Sequence, residues 1–314
     1  MSDLHAALSE YLETRRALGT QLKWPESALR QFVDFMIARG ADVVTTALAL
    51  SWTFQSVALQ PGTYARRLDI VRAFARWLQA TDPRTEVPPP RLLPASHRRP
   101  TPHIYAKAEI AALMSAANQL DQASGLRGAT FKTLIGLLAA TGLRPGEALK
   151  LDVDDVDLRD RVLVVRGSKC GKSRLVPFDP STGAALQDYA GLRDTLLPHR
   201  QTPAFLVTSC GSRLIGSTVR RTFARLCHSI DLRPRLQGRS GHGPRLQDLR
   251  HTFATNRLIE WYRAGLDVNR LVPWLATYLG HVSSVETYWY IQAIPELLGL
   301  ASERLVTAPS GDRP

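Results

Sequence analysis

The sequence is short of cysteines and of long apolar runs, and each shortage excludes a class of protein. Its three cysteines, Cys170, Cys210 and Cys227, are odd in number and lack the spacing of a zinc site, which predicts free thiols in a reducing compartment. No apolar run approaches the roughly 18 residues that a membrane-spanning helix needs. The first residues have neither the basic nor the apolar stretch of a secretion signal, so we expect no membrane partner and a cytoplasmic location.

Acidic residues are too few to balance the basic ones. The 314 residues include 40 Lys+Arg and 28 Asp+Glu, which gives a formal net charge of +12. This excess favours a polyanionic partner, and nucleic acid is the commonest one, although a basic enzyme with an unrelated substrate would have the same composition. The length and the ordinary hydrophobic fraction are sufficient for two domains with buried cores.

A stretch rich in proline and arginine divides the chain. Residues 1–85 contain three apolar runs at helical spacing and predict an N-terminal helical domain. Residues 86–103 predict an extended basic linker, because proline removes backbone donors and fixes the chain. Residues 104–307 predict a second domain of helices with a small hairpin, and residues 308–314 predict a disordered tail. The expected fold class is mainly α with a small β-sheet (α+β).

The second domain contains readable elements. Two β-branched runs, 162–166 and 174–178, flank a glycine-containing turn and predict a hairpin. Its tip carries Lys169 and Lys172, and Arg174 follows, a basic group that suits a DNA backbone. A further short strand is predicted at 205–207. Helices are predicted at 105–118, 131–140, 218–226, 248–262 and 268–279.

The last apolar run of the N-terminal domain also carries arginines. Arg66, Arg67 and Arg72 alternate with its apolar positions. A basic helix with aromatic residues suits contact with DNA, whereas a solvated cationic face would give the same pattern. We take the three arginines as candidate DNA-binding residues.

Three motifs are the most specific patterns in the chain. The first is TGLRPGE at 141–147, which contains Arg144 and Glu147. The second is DLRHTF at 248–253, which contains Arg250. The third is LGH at 279–281, in which a tyrosine, Tyr290, follows His281 by nine positions. Taken singly, Arg144 with Glu147 could be a surface ion pair, and His281 could be a histidine at a helix C-terminus.

Residues of these types can break a phosphodiester bond without a metal. Two arginines suit the charge that develops on the non-bridging oxygens, and a tyrosine hydroxyl can attack in line and hold the phosphate covalently. A lysine or histidine can protonate the leaving 5′ oxygen. The sequence has no Asp/Glu cluster, no Cys/His ligand spacing and no phosphate-binding Gly-rich loop, so we expect no metal and no cofactor.

Together the motifs resemble the catalytic set of the tyrosine recombinase (phage integrase) family, over roughly residues 104 to 300. The resemblance implies an N-terminal core-binding domain and a mixed α/β catalytic domain. It implies the following catalytic residues: Arg144, Arg250 and His281 on the phosphate, Glu147 orienting Arg144, Lys169 as general acid and Tyr290 as nucleophile. Lys172 competes with Lys169 for the acid role, and Tyr288 competes with Tyr290, although we expect Tyr288 to pack in the core.

One position departs from the family pattern. The family usually has histidine three residues before the second arginine, where this chain has Gln247. An amide can donate a hydrogen bond to a phosphate oxygen but cannot transfer a proton, so the departure puts an acid/base step at this position in doubt. His242 and His251 lie nearby in the sequence but out of register.

The resemblance implies a site-specific recombinase that forms a 3′-phosphotyrosyl intermediate without ATP. Its expected partner is double-stranded DNA with inverted half-sites, in the nucleoid, and the expected assembly is a homotetramer on two duplexes joined through the C-terminal tail. Two alternatives remain open: a type IB topoisomerase with the same chemistry, and a non-catalytic DNA-binding regulator, which Gln247 would favour.

Overall fold

The computed structural model describes residues 3–20, 22–56, 61–94, 101–120, 124–167, 173–232, 243–281, 283, 287–288, 296–299 and 302. The chain divides into two compact units, residues 1–99 and 100–314. The first contains helices α1 (Leu4–Ala17), α2 (Lys23–Ile37), α3 (Thr46–Phe54) and α4 (Pro61–Leu78). The second contains α5 (Lys107–Asn118), α6 (Leu126–Thr141), α7 (Pro145–Ala148), α8 (Pro180–Leu196), α9 (Gly216–Ser229), α10 (Asp248–Arg263) and α11 (Val268–Leu279), with strands β1 (Val156–Asp157), β2 (Val162–Val165) and β3 (Arg174–Pro177).

Aromatic side chains form much of the core of the first unit. Phe32, Trp52 and Phe74 are fully buried, and the rings of Phe32 and Trp52 meet edge to face with centroids 5.3 Å apart. Their burial follows from the apolar spacing along α2, α3 and α4, which turns one face of each helix inward. The predicted helical character of this unit is confirmed. In the described part of the chain, no helix has the length and apolar character needed to cross a membrane.

The proline-rich stretch begins as a packed part of the first unit. Arg72 on α4 donates hydrogen bonds to the carbonyl oxygens of Pro88 and Pro89, both at 2.8 Å. Val87 and Leu93 pack against the core of the same unit. The first unit therefore continues past residue 85, the boundary predicted for the N-terminal domain, and includes the start of the predicted linker.

Helix α6 is the centre of the second unit. It packs against α5, α8 and α10, and Leu134, Ile135 and Leu138 are fully buried. A helix that packs against three others buries most of its positions, which fits the apolar run of α6 around these residues, whereas Lys132 on the remaining side is exposed. The predicted buried helix is confirmed, and it ends close to the first arginine motif.

The three strands form an antiparallel sheet in the order β1-β2-β3. Val162 pairs with Pro177 and Val165 with Arg174, so the predicted hairpin is confirmed. The strand predicted at 205–207 is wrong: Ala204 and Val207 form only isolated bridges to other segments. Helix α8, which the sequence analysis did not predict, follows the hairpin in the chain and packs against α6.

Candidate active site

A sharp chain reversal after α6 presents Arg144. Gly142 ends the helix in the left-handed conformation (φ 62°), and a Cβ at this position would lie 2.5 Å from the Phe253 ring, so glycine is required. Pro145 then starts the short helix α7 with Arg144 as its N-cap residue. Glu147 accepts hydrogen bonds from the Arg144 backbone amide (3.0 Å) and from its Nη1 (2.9 Å). The carboxylate thus fixes both the backbone and the side chain of Arg144.

Glu147 also binds a second arginine. Arg174, the first residue of β3, donates from Nη1 to Oε1 (3.1 Å) and from Nη2 to Oε2 (2.8 Å) of this carboxylate. Only 9% of the Glu147 side chain and 11% of the Arg174 side chain are exposed. Burial alone would raise the pKa of Glu147, but the hydrogen bonds from Arg174 and Arg144 outweigh it and lower the pKa to about 2.

Arg250 is almost completely enclosed. It lies in the first turn of α10, and 2% of the residue is exposed. Nη1 donates to the carbonyl oxygen of Gly142 (2.9 Å) and Nη2 to that of Leu279 (2.7 Å). A buried guanidinium without partners would be strongly destabilising, so these two carbonyls hold it in place.

The C-terminus of α11 accepts hydrogen bonds from all three arginines. Arg174 Nε donates to Tyr278 O (2.9 Å), Arg250 to Leu279 O, and Arg144 Nη2 to Gly280 O (3.1 Å). The last carbonyls of a helix lack intrahelical partners and carry the negative end of its dipole, which suits three guanidinium groups. Three motifs that are far apart in the sequence therefore meet at one helix end.

His281 follows immediately. Its Nδ1 lies 2.7 Å from the hydroxyl oxygen of Thr287, which is fully buried. Burial first, and then the positive charges of Arg250 and Arg144, lower the pKa of His281 to about 3. The imidazole is therefore neutral at pH 7, with one ring nitrogen available as a donor and the other as an acceptor.

Comparison with known proteins shows which family has this sequence. The sequence model of the Phage integrase family matches residues 104–296. A Sinorhizobium fredii protein named as an integrase/recombinase, y4rB, is 44% identical over 97% of this chain and 98% of its own. The tyrosine recombinase XerD of Caulobacter vibrioides is 32% identical over 76% of this chain and 73% of its own.

The chain belongs to the phage integrase family. It is a tyrosine-type site-specific recombinase. Solved structures with the same fold include the XerA recombinase (TM-score 0.51, 23% identity, 98% of this chain and 100% of that one). The Tn1549 transposon integrase in complex with circular intermediate DNA is another (TM-score 0.62, 17% identity, 95% and 99%).

Gln247 lies at the start of α10, next to the arginines of this recombinase. It is the N-cap residue of the helix and is half-buried. Gln247 lines a cavity of about 460 Å³ together with Pro145, Gly146 and Arg220. Because these neighbours belong to α7 and α9, the residue in the usual histidine position lies between the Arg144 turn and a basic helix.

Three predicted residues of the recombinase cannot be placed. Tyr290, Lys169 and Lys172 lie outside the described residues, so their roles stay predictions. Tyr288 is described and packs, partly buried, against an apolar cluster that includes Leu258 and Val272. This location agrees with the expected core role of Tyr288.

The predicted DNA-binding arginines have different surroundings. Arg66 is exposed, 4.4 Å above the Trp24 ring. Arg67 lies 3.9 Å from the Trp52 ring centroid and donates to the Trp52 carbonyl oxygen (3.3 Å), while Arg72 holds the proline-rich stretch. Arg67 and Arg72 thus have structural partners within the first unit, and contact with DNA stays a prediction for all three.

The helix predicted at 218–226 carries three arginines that the sequence analysis does not take as DNA-binding candidates. Arg220, Arg221 and Arg225 on α9 are all exposed. Their spacing on a helix with a buried apolar face indicates an exposed basic face. Such a face indicates DNA contact only when its neighbours in the structure are known. The contact of α9 with the Gln247 cavity supplies that context.

Proposed function

We propose that this recombinase cuts and rejoins double-stranded DNA through a covalent link between Tyr290 and a 3′ phosphate, without metal or ATP. The observation that carries the proposal is the meeting of Arg144, Arg250 and His281 at the C-terminal end of α11. Tyr290 follows His281 by nine residues, and buried Thr287 already lies against the His281 ring. Thr287, three residues before Tyr290, thus lies in contact with one of the proposed phosphate-binding side chains.

Each side chain has a task in this reaction. Arg144 and Arg250 stabilise the charge that grows on the non-bridging oxygens, a role that guanidinium groups perform well because they stay charged and donate in pairs. We assign His281 the role of a neutral hydrogen-bond donor: the contact between Nδ1 and the Thr287 hydroxyl is compatible with the tautomer that accepts at Nδ1 and carries its proton on Nε2, toward the phosphate.

The leaving 5′ oxygen must receive a proton, and the hairpin tip is the proposed source. Lys169 is the first candidate and Lys172 the second, because both belong to the turn between β2 and β3. Gln247 contributes a hydrogen bond to the phosphate through its amide. It therefore takes over the phosphate contact of the usual histidine but cannot transfer a proton as a histidine can.

DNA binding outside the cleavage centre would use the exposed basic residues. Arg220 of α9 lines the same cavity as Gln247, and the exposed arginines of this helix suit phosphate contacts; Arg66 offers a further contact from the first unit. Such contacts release counterions, so we expect affinity to fall steeply as salt rises. Acting on DNA would place the protein at the nucleoid, in the cytoplasm.

The working assembly would be four protomers on two duplexes with inverted half-sites, joined through the C-terminal tail. The XerH recombinase is described bound to a palindromic substrate, difH, and the λ integrase as a dimer on a core site, which supports paired half-sites for this chain. Sedimentation of the complex with paired half-sites tests it: a stable complex of one protomer per duplex would contradict the proposal.

Trapping of the covalent intermediate tests the proposed chemistry. A nicked half-site prevents religation, so the wild-type protein should accumulate a protein–DNA adduct. Tyr290→Phe should form none, because the phenol oxygen is missing, whereas Tyr288→Phe, the matched control two residues away, should form it normally. Loss of the adduct with Tyr288→Phe alone would reassign the nucleophile, and a wild-type protein that never forms it on its own site would be a DNA-binding regulator.

A further inference from the structure

Arg174 is the arginine of this centre that the reaction described above does not use. Sequence reasoning placed it beyond a basic hairpin tip as a DNA contact, yet its guanidinium is directed inward. The fork binds both oxygens of Glu147, and Nε binds the carbonyl oxygen of Tyr278. Because its two Nη groups bind the two oxygens of one carboxylate, a DNA phosphate could bind this fork only by displacing Glu147.

The packing around Arg174 is as close as its hydrogen bonding. The guanidinium lies against the Cα of Gly280, where a Cβ would come within 2.8 Å of Nη1 and 3.0 Å of Cζ. The left-handed glycine at the end of α11 therefore creates the space that the Arg174 side chain occupies. This arrangement fixes the start of β3, five residues after Lys169, to the helix end that carries His281.

The charges of the group explain what Arg174 does for the reaction. Glu147 is a single negative charge shared by two guanidinium groups, those of Arg144 and Arg174. Without Arg174, Glu147 and Arg144 would form a neutral pair, and the attraction of Arg144 for a phosphate would be largely cancelled. With Arg174 present, the trio keeps one net positive charge while Glu147 still orients Arg144.

We propose that Arg174 is a positioning residue of the cleavage centre: it balances the charge of Glu147, so that Arg144 remains cationic toward the scissile phosphate, and it anchors β3 to the end of α11. The proposal rests on the recombinase chemistry given above. It assigns Arg174 a role in the rate of the chemical step and not in the strength of DNA binding.

The test compares Arg174→Gln with wild type in single-turnover cleavage of a nicked half-site at saturating protein. We expect the variant to cleave about 10- to 100-fold more slowly. This decrease is no larger than the roughly 100-fold decrease at the low end for enzymes that lose a donor in direct contact with the developing charge. The slope of log affinity against log salt should stay unchanged, because no phosphate contact is lost. Arg200→Gln is the matched control, because Arg200 is also paired with a carboxylate, that of Asp194. This control variant should cleave at the wild-type rate.

A second substitution separates charge balance from a structural role. In the Arg174→Gln background, Glu147→Gln removes the unbalanced carboxylate but keeps an acceptor for Arg144, so the double variant should cleave faster than Arg174→Gln alone. A slower double variant, or a salt slope reduced by about one with normal cleavage, would overturn the proposal and make Arg174 a direct DNA contact.

Folding is checked by thermal melting of each variant. If Arg174→Gln does not fold, the same comparison is made with Arg174→Lys, which keeps the charge but loses the paired hydrogen bonds. That variant should retain most of the rate if charge balance dominates, and a complete loss from it would refute the charge argument. Absence of cleavage by the wild-type protein would instead refute the proposed function, so the two failures are distinguishable.

Discussion

Replacing Gly280 by alanine tests whether the end of α11 organises the cleavage centre. Gly280 has φ 70°, a conformation that costs an L-residue about 1–2 kcal/mol. In a unit of this size, that loss lowers the melting temperature by about 2–8 °C. The new Cβ would also come within 2.8 Å of Arg174 Nη1, so the guanidinium must shift, which weakens its hydrogen bonds to Glu147 and Tyr278 O. We therefore expect cleavage to slow by about 10-fold or more, as for loss of a charge-stabilising group.

Gly265→Ala is the matched control for this substitution. Gly265 follows α10 with φ +71°, nearly the same backbone conformation, but a Cβ there would meet nothing within 4 Å. Both variants should lose similar stability from the backbone, and only Gly280→Ala should lose cleavage, measured as adduct formation on a nicked half-site at a temperature where both are folded. Equal cleavage by the two variants would refute the reasoning that the Arg174 site depends on this glycine.

Two further outcomes follow from the contacts of the site. Glu147 has a folded-state pKa of about 2, below its ordinary 4.5, so its contribution to stability is present above pH 4.5 and is lost as pH falls toward 2. The difference in unfolding free energy between wild type and Glu147→Gln, followed by urea denaturation, should shrink over that window, and a difference constant with pH would contradict it. Thr287→Val should slow cleavage by roughly 5-fold, because a hydrogen bond of about 1 kcal/mol no longer fixes the His281 ring, whereas Thr287→Ser should retain the rate. Equal rates for the valine and serine variants would show that the hydroxyl does not matter.

Local sequence patterns predicted the elements that carry the motifs. The helix predicted at 268–279 has the range that the structure shows for α11, where Asp267 caps the start and Gly280 ends the helix. Helix α8 was missed, although Asp179 as N-cap and Pro180 as first residue are ordinary start signals. Its glycine and polar residues obscured the apolar stripe.

Partners far apart in the sequence could not be predicted in the same way. Arg174 and Glu147 are 27 residues apart, and nothing in the sequence around either one indicates that they meet. The same holds for Arg72, whose partners are carbonyl oxygens of the proline-rich stretch. Side chains that bind backbone oxygens leave no pattern in the sequence, since every residue supplies a carbonyl.

The end of α11 explains how three arginines can lie together before DNA arrives. Their mutual repulsion is offset by one carboxylate and by three successive carbonyl oxygens at the negative end of a helix. Because these acceptors are fixed by the backbone, the guanidinium groups need little rearrangement when a phosphate binds, which is the condition for electrostatic stabilisation of a transition state. Under the proposed function, Arg144 and Arg250 would supply the charge and His281 a neutral donor, so position 247 would have to supply only a hydrogen bond, which the amide of Gln247 can donate.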